Sequence, residues 1–293
     1  MTTEVVDKIA SGYLAGAMWW YAANVLCPAQ ALKHAGIPIS DGKIGDQPEK
    51  TDRPGLGPYF SRQHPKPVLL SHDTAHDHLV EEFDRIAEVY AEFVQPFSRP
   101  IFDEALAAMS HFIRPDARVL DTGCGPGREL MRVARLVPHG EVVGIDLATG
   151  MVNTAHRAAR ASGLDNCAFF QADAGALPDV FNEEFDMVYN CLAHHHYPDP
   201  MAAARSALRC LRPEGVYCVI DPGPAWYNAL SAPLAKQGDP GWVGFHTPDQ
   251  FCRLLRDAGF ARASWIDLLP GFGLAVGQKS RRRGPGKSAT VQS

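Results

Sequence analysis

Five short apolar runs, each closing on an acid or another polar residue, punctuate the middle of the chain. Val119-Leu120 runs into Asp121, Val142-Val143-Gly144-Ile145 into Asp146, and Phe169-Phe170 towards Asp173. Residues 185–191 and 215–221 follow in the same style. Between the runs, apolar residues recur every three to four positions. Leu130, Val133, Ala134 and Val137 mark one helical face, and residues 148–160, 200–211 and 247–259 mark three further helices. The last of these opens on Thr247 with Gln250 three residues on, and stops at Gly259. Short buried runs alternating with helices predict a mostly parallel sheet covered by helices on both faces. Residues 263–268 and 273–278, joined across Pro270-Gly271, predict two closing strands.

The chemistry-bearing stretch is Arg118-Val-Leu-Asp-Thr-Gly-Cys-Gly-Pro-Gly127. It reads as a strand end, a turn carrying Gly123, Gly125 and Gly127, and the start of a helix. Such a corner lets backbone approach a ligand closely and presents free N–H groups at the helix N-terminus. The glycine spacing is G-x-G-x-G, and Arg128 stands where a dinucleotide fingerprint has its third Gly, which argues against a dinucleotide. Asp146 closes the second strand 23 residues after Gly123, near the roughly 20 expected of a ribose-binding acid.

V-L-D-x-G-C-G-x-G, then G-I-D, Q-A-D and F-D-x-V on successive strands, resembles the class I S-adenosylmethionine (SAM)-dependent methyltransferases over roughly residues 80–279. Phe83-Asp84-x-x-Ala87-x-x-Tyr90 upstream and His195-His196-Tyr197-Pro198-Asp199-Pro200 downstream resemble the small-molecule branch related to ubiquinone and menaquinone C-methyltransferases. The resemblance implies an α/β fold: a Rossmann-like, doubly wound, seven-stranded sheet, mostly parallel with an antiparallel last strand. It also implies SAM as methyl donor and a small-molecule acceptor. Asp146 would accept from the ribose hydroxyls, a task suited to a carboxylate. Gly123, Gly125 and Gly127 would pass against the methionine part, with Asp121 towards its ammonium. Asp173 and Ala174 would flank the adenine edge and Leu147 its face. Tyr90 would lie over the donor and Asn190 beside it. The same fold also serves cyclases and ligand sensors, which keep the pocket without transferring methyl.

Methyl transfer from a sulfonium is an in-line displacement with a neutral leaving group. It demands alignment and exclusion of water, and a base only where the nucleophile carries a proton. His194, His195 and His196 directly follow the fourth strand and are the candidate bases. His195 and His196 match the family's pair, whereas His194 replaces a usually apolar residue. The competing reading is structural, with an imidazole bonding backbone carbonyls ahead of Pro198. Adjacent residues rarely converge on one ion, so no metal site is expected there.

The remaining features set the boundaries. The chain has 293 residues and a formal charge of −5, which speaks against a nucleic-acid-binding surface. Its seven Cys include no C-x-x-C, as in reduced cytoplasmic proteins. Residues 1–79 form a helical and loop extension. Residues 9–26 carry no charge, but the segment is Ala-rich, interrupted by Asn24, and has Trp19 and Trp20 at its centre. It reads as a helix buried by protein, as a lid or a homodimer contact, rather than as an integral membrane span. Prolines between 38 and 67 mark a linker, and His72 and His76 a helix entry. Residues 80–279 form the methyltransferase domain, and residues 280–293 a solvated tail. The long connection 222–246 carries Trp226, Tyr227, Trp242, Phe245 and His246, and reads as a substrate wall.

Overall fold

The computed structural model describes residues 68–69, 80–81, 83–84, 87–88, 90–94, 98–238 and 241–281. The expected helix at 9–26 with its dimer contact, the Pro-rich linker, His72 and His76, and residues 282–293 lie outside the described residues.

Among the described residues eight strands make one sheet: β1 (Val68–Leu69), β2 (Arg118–Thr122), β3 (Glu141–Asp146), β4 (Cys167–Gln171), β5 (Phe185–Cys191), β6 (Leu211–Pro222), β7 (Arg262–Leu269) and β8 (Phe272–Gln278). Their order is β1-β4-β3-β2-β5-β6-β8-β7. Neighbours from β1 to β6 run parallel, and β8 runs antiparallel to both β6 and β7. The seven long strands are those read from the apolar runs, with the antiparallel last strand in place. β1 is an addition. Two residues beside Pro67 give no periodicity to read, yet Val68 and Leu69 pair with Phe170 and Gln171 at the sheet edge.

Among the described residues, these α-helices accompany the sheet: α1 (Arg99–Met109), α2 (Arg128–Leu136), α3 (Thr149–Ala161), α4 (Pro200–Cys210), α5 (Ala225–Gly238) and α6 (Pro248–Ala258). Successive strand residues point to opposite faces. Val119, Val142 and Tyr189 therefore join α1, α2 and α3 in one core, while Leu120, Val143 and Val188 join α4 and α6 in the other. Helix α2 packs closely on the sheet at Gly144, where a Cβ would lie 2.6 Å from the Leu130 side chain. Thr247 and Gln250 form the expected capping box of α6, and Gly259 ends it in the left-handed conformation.

Helix α5 corrects the reading of 222–246 as irregular. Pro233 inside it and the lack of a buried apolar face concealed it: Trp226, Leu230 and Leu234, at i, i+4 and i+8, are all exposed. No helix among the described residues is long and apolar enough to cross a membrane. The fold brings the C-terminal ends of β2 to β6 to a single edge, where ligands of open α/β sheets bind.

Candidate active site

A cavity of about 340 Å³ opens at that edge, within the range of small-molecule pockets (about 300–1,000 Å³). Its floor is the glycine corner. Backbone N–H groups of Gly123 and Cys124 donate to the Ile145 carbonyl at 2.8 Å, which folds the turn across β3. Gly125 (φ +51) faces open space, with nothing within 4 Å of where a Cβ would stand. Gly127 has a different task. It lies off the cavity as the left-handed N-cap of α2, and a Cβ there would meet Ala155 at 2.8 Å. Helix α3 packs against it, and its positive φ and this close approach favour glycine here.

Asp146 reaches back into the turn. Its Oδ2 accepts from the Gly125 N–H and its Oδ1 from the Ala148 N–H, both at 2.9 Å. Each oxygen keeps a lone pair, so the pair can still receive a diol. Burial raises this carboxyl to about 6, against the opposing pull of the two backbone N–H groups. Asp121 is 2% exposed and its Oδ1 is without a hydrogen-bond partner. Burial holds it well above the usual carboxylate range, with Glu129 and Asp146 adding to the rise. The neighbouring Tyr189 phenol opposes the rise, more strongly than either acid adds to it. An orphaned buried acid aimed at a cavity is what a site for a cationic ligand group requires.

Leu147, Asp173 and Ala174 line the same cavity, and Asp173 also accepts from the Gly175 N–H at 2.7 Å. Tyr90 and Phe83 close the opposite side, their rings edge-on at 6.3 Å. Glu129, missed in the sequence, lines the cavity on the first turn of α2, and the Ser98 hydroxyl donates to it. Asn190 does not line the cavity. Alternation along β5 puts it on the face of Val188, fully buried, with its amide donating to the Tyr217 hydroxyl at 2.9 Å. Its neighbour Cys191 takes the cavity position.

The three histidines form a 3₁₀ turn and separate sharply. His196 lines the cavity and meets Phe83 edge-on at 5.4 Å. His195 lies behind it at 4.3 Å between rings, and its Nδ1 is 2.7 Å from Asp221 Oδ1 at the end of β6. His194 points away into the core against Phe251 and Tyr197, which removes it from the candidate bases on the cavity. Two features hold the turn. Leu192, also in the cavity wall, takes a left-handed φ of +54 and swings the chain out of β5. The Tyr197 hydroxyl donates to the Thr122 carbonyl and bolts the turn to the glycine corner. Asp221 could have been found from sequence, since it nearly closes its strand as Asp121 nearly closes, and Asp146 closes, theirs. Among the described residues no cluster of three His, Cys, Asp or Glu could hold a metal ion.

Comparison with known proteins agrees with this geometry. Residues 113–255 match a family model described as a methyltransferase domain. Nocamycin O-methyltransferase of Saccharothrix syringae is 36% identical over 143 residues, covering 48% of this chain and 50% of that protein. The chain thus spans about half the length of that relative. Demethylmenaquinone methyltransferase of Symbiobacterium thermophilum is 28% identical over 233 residues, covering 69% of this chain and 92% of its own length. The crystal structure of the YcgJ protein of Bacillus subtilis superposes with a TM-score of 0.51 at 25% identity, covering 56% of this chain and 71% of that one. The glycine corner and most of the cavity it opens fall inside the matched region, so residues 113–255 carry a domain similar to those of methyltransferases.

Proposed function

We propose that the protein transfers the methyl group of SAM to a hydroxyl of a small, uncharged acceptor. The donor supplies an electrophilic methyl on its sulfonium; the chain supplies binding, alignment and a base. Asp146 takes the ribose hydroxyls and Asp121 the ammonium. Leu147, Asp173 and Ala174 hold the adenine, while Tyr90 and Phe83 exclude water from above.

The observation that carries the reading is the buried His195–Asp221 pair at 2.7 Å. A carboxylate on Nδ1 fixes the proton there and leaves Nε2 as an acceptor, the arrangement of an oriented general base. A base has work to do when the nucleophile is a hydroxyl. His196, on the cavity wall and in ring contact with His195, lies between the pair and the acceptor space, so the pair, itself off the cavity, acts on the acceptor through His196. No Lys or Arg lines the cavity among the described residues, which suits an uncharged acceptor better than a phosphate or carboxylate. The name of the Saccharothrix relative, an O-methyltransferase, points the same way. A cyclase or sensor on this fold is the weaker reading on that ground.

The test is a pair of variants. His195→Ala and Asp221→Asn should each lower kcat by roughly 10²–10⁴ while the affinity for S-adenosylhomocysteine stays within about threefold. Near-normal kcat in both would remove the base, leaving proximity and desolvation as the source of rate.

A further inference from the structure

A second polar site, outside the donor cavity, is built around the histidine that the mechanism does not use. His194 is 1% exposed, and neither its Nδ1 nor its Nε2 has a hydrogen-bond partner. Its ring faces His246 at 5.3 Å, whose Nδ1 is likewise buried and unpartnered. Asn228 on α5 donates to the His246 carbonyl at 3.2 Å and to the Gly223 carbonyl at 3.0 Å, which leaves its Oδ1 buried and unpartnered. Trp242 completes the set. Its Nε1 is buried without a partner, its ring meets Phe245 at 5.3 Å, and Phe245 in turn meets His195 at 5.4 Å. The Val243 N–H donates to the His195 carbonyl at 2.9 Å, so this segment lies directly on the His195 turn.

Buried polar atoms without partners are rare in folded proteins. Five on four side chains, around one histidine–aspartate pair, call for a partner that comes and goes. We infer that His194, Asn228, Trp242 and His246 form the recognition subsite for the acceptor, taking its hydroxyl or carbonyl oxygens beside the His195–Asp221 pair. The inference rests on the methyl-transfer reading and names the acceptor's chemistry. The donor and acceptor inventory decides the class. An indole N–H donates, an amide oxygen accepts, and each neutral imidazole does one of each. That set complements a neutral oxygenated compound. Burial, reinforced by each other's proximity and by His195, keeps His194 well below its ordinary range, and burial lowers His246. Phe245, in edge contact with both His195 and Trp242, adds apolar surface beside the polar atoms.

The experiment uses the full chain with His194→Phe, and His246→Phe as a second variant on the overlying segment. Three quantities are measured: melting temperature, affinity for S-adenosylhomocysteine, and methyl transfer from labelled SAM to catechol and to hydroxyacetophenones. Removing orphaned nitrogens in favour of an apolar ring should raise the melting temperature and leave product affinity unchanged. The acceptor KM should rise at least about tenfold, with kcat changed less. A lower melting temperature in both variants would overturn the inference, because the nitrogens would then be satisfied by structural water. An unchanged KM, or no methylation of either compound class by the unaltered protein, would overturn the assigned subsite or its ligand class. Failure of the unaltered protein to bind S-adenosylhomocysteine would instead strike the donor reading.

Discussion

Protonating Asp146 should release the donor. In the ligand-free site this carboxyl lies at about 6, chiefly because burial penalises its charge. Its oxygens already accept from Gly125 and Ala148 at 2.9 Å, so a bound ribose diol must use the remaining lone pairs of an ionised group. Binding therefore lowers its pKa. Affinity is full above about pH 7 and falls as pH drops through 6, by roughly tenfold at pH 5 relative to pH 8. The sign for folding is the reverse. The folded value exceeds the unfolded carboxylate value near 3.9, so the stability linked to this group is full below that value and is lost as pH rises through 6. A shift of about two units bounds the loss at roughly 3 kcal/mol near neutral pH. Asp146→Asn should accordingly bind S-adenosylhomocysteine more weakly and with the step near pH 6 removed. Its melting temperature at pH 7.5 should not fall, since relief of the buried charge offsets the one N–H bond the amide cannot accept. Titration calorimetry from pH 5 to 8, with circular dichroism to confirm folding, reads both effects. A pH-independent affinity in folded protein, or the same step in the variant, would refute the assignment.

Two further substitutions separate binding from architecture. Gly127→Ala, at φ +85 with Ala155 at 2.8 Å, should cost roughly 1–3 kcal/mol in urea unfolding. It should leave product affinity in the folded fraction near normal; a loss of affinity without a loss of stability would put Gly127 back at the ligand. Asn190→Ala removes the 2.9 Å bond to Tyr217 and should destabilise by roughly 1–3 kcal/mol with donor affinity intact. Selective loss of donor binding would restore it to the site.

Most of the sheet was legible because each strand is a short buried run between turn signals, and buried parallel strands leave that mark. The cavity's floor was legible for a related reason: Asp121, Gly123, Gly125 and Asp146 lie within or beside strand ends, where sequence order fixes position. Side-chain direction was the weaker inference. Asn190 and Cys191 are adjacent, yet one enters the core and the other the cavity, a choice set by the face that Val188 shares with Asn190. His194, His195 and His196 scatter for a similar reason, since a 3₁₀ turn sends neighbours different ways. Contacts between distant segments left no local trace. Ser98 with Glu129, and His195 with Asp221, meet only because the sheet brings their elements together. Helix α5 was missed because its apolar stripe faces outwards and Pro233 interrupts it.

Methyl transfer to a small hydroxylated molecule can be observed directly. The most direct test incubates the full chain with SAM and a library of small hydroxy compounds, with S-adenosylhomocysteine and acceptor mass followed together. S-adenosylhomocysteine should appear mole for mole with a product heavier by one methylene at a hydroxyl oxygen. An acceptor converted while SAM is bound but not consumed would contradict it, and would make the domain a SAM-binding catalyst of another reaction.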